Sequence, residues 1–399
     1  MSIILLIVGI LLFIGLVVVH EWGHFITARR GGVEVEEFGI FFPPRLFVHK
    51  MKSGWNFTIN LLPLGGFVKL KGEHDTDTEP GSFGAANLWT KSKIMAAGVG
   101  MNLLVALLLF TGLAWVGMPK LLCNQFTVTN DTKTVFDSRK VIANTVEANS
   151  PASAVGIKNG DQLVAVGTSK NNLQNLVTGC LKLADFTPQH AGQTIDIQYI
   201  HAGKTYIRQA TLRSAAEVQA SQQSKQPKGY LGIVPAQSGY ALQSSTWSAP
   251  VVAVGDSAQF TGLTFVGLGR AVAGLGKLVA GSVTGNTHAR QNGQTQASSQ
   301  VSGPVGIFEI LKDGSRLGWS FMLMIIAIVS LTLAIMNILP IPALDGGRLW
   351  LTLIAHAFKK PLSARTEELV NAAGFIVLLG IIVLVTIVDV SHLRSGLYG

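Results

Sequence analysis

At 399 residues the chain is long enough for two or three domains, but 48% of it is hydrophobic and only 13% is charged, which excludes an ordinary soluble enzyme and favours a membrane protein. A formal net charge of +9 raises the question of nucleic acid. The charge is sorted into two loops between apolar stretches, however, so it reads as membrane topology and no nucleic-acid partner is expected.

Four stretches reach the roughly 20 residues that a helix needs to cross a hydrocarbon core: 3–19, 95–116, 317–339 and 370–388. The first lacks the basic n-region and small-residue cleavage site of a signal peptide and is read as a permanent span. Arg29, Arg30, Arg45, Lys50, Lys52, Lys69, Lys71, Lys91 and Lys93 separate the first two spans, and Arg348, Lys359, Lys360 and Arg365 the last two. The positive-inside rule puts both loops in the cytoplasm, and both termini and residues 119–316 on the other side. Cys123 and Cys180, the only cysteines, fall in that outer segment. A disulfide suits an oxidising compartment, and two unpaired thiols are equally compatible.

Residues 31–93 are no polar linker. Val33 to Ile40 and Trp55 to Leu61 partly alternate apolar and polar residues, and Gly65-Gly66 punctuates a second apolar run, a pattern of β-hairpins. Such backbone sits at membrane depth only when buried in protein or lining a wet cavity, so a re-entrant hairpin and a hairpin on the membrane surface are both open. Residues 127–236 have the composition of a small soluble α+β domain: Ser150-Pro151 suits a helix start and Gln162 to Val166 a strand. Residues 214–228, rich in Ser, Gln and Ala, read as a loop or linker. Residues 251–283 are apolar but carry Asp256, Arg270 and Lys277, and are expected to form an amphipathic helix at the outer interface rather than a fifth span. The polar run 285–302 reads as an exposed loop.

The chemistry is concentrated at two places. At the inner end of the first span stands His20-Glu21-Trp22-Gly23-His24. In His-Glu-x-x-His on a helix both imidazoles lie on one face and reach one Zn²⁺, while the Glu stands by its open coordination position. Ionisable groups at this depth are expensive unless paired or metal-bound. At the inner end of the third span stands Asn337-Ile338-Leu339-Pro340-Ile341-Pro342-Ala343-Leu344-Asp345-Gly346-Gly347, in which Asp345 is the only acidic residue between Asp313 and Glu367. It lies at the same predicted depth as the histidines and supplies a third ligand, leaving an open position as catalytic zinc requires. The two prolines break the helix there, and Asn337 has two readings, an amide that pairs with an unwound substrate strand or one that makes an interhelical hydrogen bond. A metal-ion transporter and a zinc-binding scaffold are the alternatives; a scaffold site would want a fourth ligand, for which His49 and His74 are the loop candidates.

Together these motifs resemble the site-2 protease family of intramembrane metalloproteases, in particular its bacterial single-PDZ members. The flanking Gly32-Val33-Glu34-Val35-Glu36-Glu37-Phe38 and Leu62-Pro63-Leu64-Gly65-Gly66-Phe67-Val68-Lys69 are similar to family signatures and stand in the family's order. Trp22 and Phe41-Phe42-Pro43-Pro44 depart from the usual residues. The resemblance implies a polytopic α-helical membrane protein with four transmembrane helices, a re-entrant β-hairpin and an inserted extracytoplasmic PDZ-like α+β domain. The implied organisation is 1–118 (first two spans and hairpin), 123–237 (PDZ-like), 238–316 (interfacial segment) and 317–399 (last two spans). It implies Zn²⁺ on His20, His24 and Asp345, Glu21 as catalytic acid/base, Asn337 as a substrate clamp, and the Gly65-Gly66 hairpin as a guide. Leu231, Gly232 and Ile233 would line the PDZ-like peptide groove, or else belong to an ordinary sheet strand of a domain that only excludes bulky substrates; both readings are open. Expected partners are the lipid bilayer of the cell membrane and single-span substrates or remnant signal peptides, cut by regulated intramembrane proteolysis near the cytoplasmic face.

Overall fold

The computed structural model describes residues 2–73, 77–177, 182–221, 227–286, 293, 304–359 and 363–394. The chain divides into two compact units, one of Met1–Val116 with Trp247–Gly399 and one of Gly117–Thr246.

In the first unit, α1 (Ser2–Arg30) is followed by β1 (Val35–Lys50), β2 (Asn56–Leu70) and α2 (Leu88–Val116). Five helices of the described residues are long and apolar enough to cross a membrane: Ile3–Arg30, Leu88–Val116, Ala249–Ser282, Trp319–Ile338 and Arg365–Val383. The third lies in α6 (Ala249–Thr284), a single helix of 36 residues that ends on left-handed Gly285 and that follows the short helices α3 (Pro151–Ala154), α4 (Leu183–Gln189) and α5 (Ala215–Ser221) of the second unit. The segment expected to lie at the interface is thus also long enough to cross. Most of the expected loop 285–302 lies outside the described residues. The helix α7 (Pro304–Leu317) follows; it is not among the elements expected from the sequence, although its apolar residues Val305, Phe308 and Leu311 recur at helical spacing against Lys312, Asp313 and Arg316. Then come α8 (Trp319–Ile338), α9 (Asp345–Ala357) and α10 (Ala364–Arg394).

Helices α1 and α8 run in the same direction. Met322, at the start of α8, and Leu311 pack over Gly9 near the start of α1, whereas Asp345, just past the end of α8, meets His20 and His24 near the end of α1. The helix α2 runs against both. Gly23 of α1 sits so close to it that a Cβ there would lie 2.6 Å from Met101 Cγ and 2.8 Å from the Ala97 carbonyl oxygen. Small residues at such a crossing let backbones approach where lipid offers no hydrophobic drive between helices.

The two strands β1 and β2 are each long enough to bend and pair twice. Phe38, Gly39 and Ile40 face Val68, Phe67 and Gly66 on one side and Phe57, Thr58 and Ile59 on the other, while Phe47 to Lys50 return along Ile59 to Asn56. Four short runs therefore lie side by side in the order 66–70, 35–40, 56–60, 45–50. The bend is held by Asn60, whose amide donates to the Ile40 and Phe41 carbonyls, and by buried Glu37, which accepts from Arg45 and Thr58. Gly39 is required because a side chain there would enter the Phe67 ring. Of the two departures from the usual pattern, Trp22 is exposed and stacks on Phe25 at 5.1 Å, and Phe42 stacks on Phe67 at 6.4 Å.

The second unit holds a six-stranded sheet. Its main path runs β10 (Ile233–Ser238), β5 (Lys140–Val146), β6 (Gln162–Gly167), β8 (Thr194–His201) and β9 (Lys204–Thr211), with β7 (Gln174–Asn175) beside β6. Its core includes Val141, Leu163, Val166, Phe186, Ile195, Ile197, Tyr199 and Leu231. Ser150 and Ser153 cap the short helix Pro151–Ala154 reciprocally. Ala202 at φ 47° and Gly203 at φ 77° turn β8 into β9, the backbone twist that a two-residue hairpin needs. A smaller sheet joins β11 (Ala241–Ser244) to β3 (Met118–Pro119) and β4 (Lys133–Asp137), so this unit is wider than 123–237 at both ends. Cys123 is disulfide-bonded; Cys180 lies outside the described residues.

The expected loop 214–228 is in part a helix, Ala215–Ser221. The Ser214 N–H donates to the Glu217 carboxylate at 2.8 Å and the Glu217 N–H to the Ser214 hydroxyl at 3.2 Å. That backbone donor holds the Glu217 carboxyl below its ordinary range. Ser-x-x-Glu is a capping box, a local signal that outweighs the loop-like composition around it.

Candidate metal centre

Helix α1 carries His20 and His24 one turn apart on the face that packs against α2. Both residues are buried, each 9% exposed. His24 is oriented by its Nδ1, 2.7 Å from the Ile94 carbonyl oxygen, and His20 by its Nδ1, 3.2 Å from Asn102 Nδ2. With the far nitrogens so engaged, both Nε2 atoms point the same way and stand 3.2 Å apart.

Asp345 arrives from the other end of the sequence. Helix α8 ends at Ile338, the Leu339–Leu344 segment turns tightly, and α9 begins at Asp345 with its carboxylate in the first turn, where a helix N-terminus favours negative charge. The turn is possible because of two glycines. A Cβ at Gly346 would lie 2.7 Å from the Asn337 carbonyl oxygen, and one at Gly347 2.9 Å from Pro342 Cα. From the far side Gly374 of α10 packs on Pro342, where a Cβ would meet its carbonyl carbon at 2.7 Å. Asp345 Oδ2 thereby stands 2.9 Å from His20 Nε2 and 3.1 Å from His24 Nε2.

Three potential ligand atoms thus converge, and His20, His24 and Asp345 are the cluster of this kind among the described residues. Tetrahedral zinc with bonds of about 2.0–2.2 Å separates neighbouring ligand atoms by about 3.3 Å, close to what these residues present. Room beside them is left by Gly98 of α2, where a Cβ would lie 2.6 Å from His20 Nε2 and closer still to His24 Nε2. The residues fit a zinc ion. His49 is not part of the cluster and stacks on Phe47 at 6.4 Å; His74 lies outside the described residues.

Glu21 sits beside the cluster, and its carboxylate has no hydrogen-bond partner among the described residues. Strand β2 passes over it: a Cβ at Gly66 would lie 3.0 Å from Glu21 Cγ and 3.5 Å from Val17 Cγ1. Gly65, at φ 141°, needs its freedom at the bend. Asn337 lies in the last turn of α8, and among the described residues its side-chain amide is also unpartnered. A Gly66→Val variant is expected to lose about tenfold or more in peptide cleavage, because a misplaced group near the reaction costs rate even without touching it. Parental kcat with a bound-zinc content also unchanged would count against this placement.

Leu231, Gly232 and Ile233 belong to the second unit. Gly232, at φ 76°, leads into β10, and the Leu231 carbonyl accepts from the Ala152 N–H at 3.1 Å. Two residues of the centre, Gly98 and Asn102, are not singled out by the motifs of the sequence. A signal for one of them exists, since a lone asparagine within an apolar span is itself a mark of function.

Apolar helices long enough to cross a membrane, wrapped around a buried His-His-Asp cluster with an adjacent carboxylate, define a polytopic membrane metalloenzyme of hydrolytic type. The sequence profile described as Peptidase family M50 matches residues 8–381. A Clostridium perfringens protein carrying the name zinc metalloprotease is 30% identical over 387 residues, covering 96% of this chain and 98% of that protein. One from Clostridium acetobutylicum is 29% identical over 98% of this chain and 99% of its own length. Zinc metalloprotease RasP of Shouchella clausii is 25% identical, with 97% and 98% covered. The chain therefore belongs to peptidase family M50, the site-2 proteases, and is a multi-pass membrane zinc metalloprotease.

Proposed function

We propose that the protein hydrolyses peptide bonds in or beside the transmembrane segments of single-span substrates or remnant signal peptides, with His20, His24 and Asp345 holding the zinc and Glu21 moving the proton. The observation that carries this reading is the meeting of three ligand atoms within 3.2 Å of one another from two ends of the chain, beside a carboxylate that no described residue engages. Bound zinc would lower the pKa of water and polarise the scissile carbonyl. Glu21 takes the proton of the attacking water on its carboxylate and delivers it to the departing amide nitrogen. A substrate helix hides its peptide bonds behind its own hydrogen bonds and must unwind first. The unpartnered amide of Asn337 is suited to hold the backbone so exposed, and the 66–70 run, seated on Glu21, is suited to guide it as a re-entrant hairpin.

Four crossings are supported by the direction of the helices. Since α8 parallels α1 and α2 opposes both, the end of α2 and the start of α8 lie on one side of the membrane. The segment between them therefore crosses an even number of times. If α6 crossed, the chain would have to return before α8, and the helix described between them, α7 with 14 residues, spans only about 21 Å at 1.5 Å per residue, short of a roughly 30 Å core. Helix α6 then lies along the outer half of α2, where Phe260 stacks on Phe110 at 5.8 Å. With the basic loops inside, both termini and residues 117–246 are extracytoplasmic and the metal centre lies toward the cytoplasm. The second unit is read as PDZ-like. Its strand β10 pairs only with β5 among the described strands, leaving an edge able to accept a peptide strand after the turn Leu231-Gly232-Ile233.

The test is to reconstitute the zinc-loaded protein in vesicles with single-span substrates labelled at both ends and map the cut by mass spectrometry. Cleavage inside the span or at its cytoplasmic margin is expected. Cuts confined to soluble tails would sink the proposal.

A further inference from the structure

We infer that Asn102 is a positioning residue whose side-chain carbonyl fixes the tautomer of His20, an inference that rests on reading His20 as a zinc ligand. Asn102 is 1% exposed and faces the ring nitrogen of His20 that points away from the cluster, at 3.2 Å. Its other side-chain atom, Oδ1, is buried without a hydrogen bond. The residue is held in place from behind, because the Ser330 hydroxyl of α8 donates to the Asn102 backbone carbonyl at 2.7 Å. The amide thus has two orientations of nearly the same shape. With Nδ2 toward the ring, His20 Nδ1 must accept, and the proton sits on Nε2 and blocks the lone pair that a metal needs. With Oδ1 toward the ring, Nδ1 carries the proton as a donor and Nε2 is left free to ligate. The second orientation gives the buried carbonyl a partner and moves the amide nitrogen into the place where Oδ1 has none, so the choice between them rests on the tautomer. Asn102 therefore selects the metal-binding tautomer from α2, as carboxylates and backbone carbonyls do for other ligating histidines. The Ile94 carbonyl, which can only accept, does the same for His24.

The distinction between acceptor and donor is testable. Full-length protein in detergent is stripped and reloaded, and zinc affinity is read by competition with a chelating dye for the parent, Asn102→Leu, Asn102→Asp and His20→Ala. Loss of the acceptor in Asn102→Leu is expected to weaken zinc about 10- to 100-fold and to change the visible spectrum of the cobalt-loaded protein. Asn102→Asp, an acceptor only, is expected to keep parental affinity and spectrum, and it carries the test if the leucine variant does not fold. Parental affinity in Asn102→Leu, or a loss in Asn102→Asp as large as that in His20→Ala, would overturn the inference. His20→Ala separates the two readings, since unchanged zinc binding there would overturn the ligand assignment itself.

Discussion

A Glu21→Gln variant is expected to cleave substrate about a hundred- to ten-thousand-fold more slowly than the parent, the usual contribution of a general acid–base, while binding zinc equally well. Glutamine has the size of glutamate, so the contact of Gly66 with the side chain, where a Cβ would lie 3.0 Å from Cγ, survives. No described residue donates to the Glu21 carboxylate, so loss of its charge strands no partner. The amide cannot take up the proton of the attacking water, and that is the one function the substitution removes. Single-turnover cleavage in vesicles and zinc content by elemental analysis measure the two halves. Parental cleavage in this variant would sink the role assigned to Glu21.

Gly98→Val is expected to abolish zinc binding and cleavage together. The first atom of any side chain at this position falls 2.6 Å from His20 Nε2, well inside van der Waals contact, and valine adds two methyl groups stiff about χ1. Neither neighbour can yield easily. His24 is tethered to the Ile94 carbonyl at 2.7 Å, and α1 and α2 are in backbone contact at Gly23 and Ala97. The expected outcome is a chain that inserts and melts cooperatively but holds no zinc; a variant with parental zinc content would show that the space beside Gly98 is not where the ion sits.

Much of the centre is legible in the amino-acid sequence alone, because ionisable residues in an apolar span stand out. His20, Glu21 and His24 declare themselves by helical spacing, and Asp345 by being the lone acid near the end of another span. What periodicity does not carry is which helix lies against which. Asn102 and Gly98 matter through the α1–α2 crossing, where Asn102 meets a residue 82 positions away. Glycine is mute in a sequence unless its neighbours are known. The helix Ala215–Ser221 is hidden for a different reason, since the composition of the segment obscures a two-residue cap.

The apolar segment 249–284 marks the boundary most clearly. Length and hydropathy make it a candidate span and Asp256, Arg270 and Lys277 make it an amphipathic one, and composition holds no term that decides between them. On our proposal direction does, because α1, α2 and α8 share contacts at one depth, so that the segment between α2 and α8 crosses an even number of times. The chemistry of the centre is written in the chain itself, since ligand type and local spacing are properties of the residues. Its geometry is not: that the carboxylate and the imidazoles meet, and that Gly98 leaves them space, follow from packing between distant segments that no local pattern encodes.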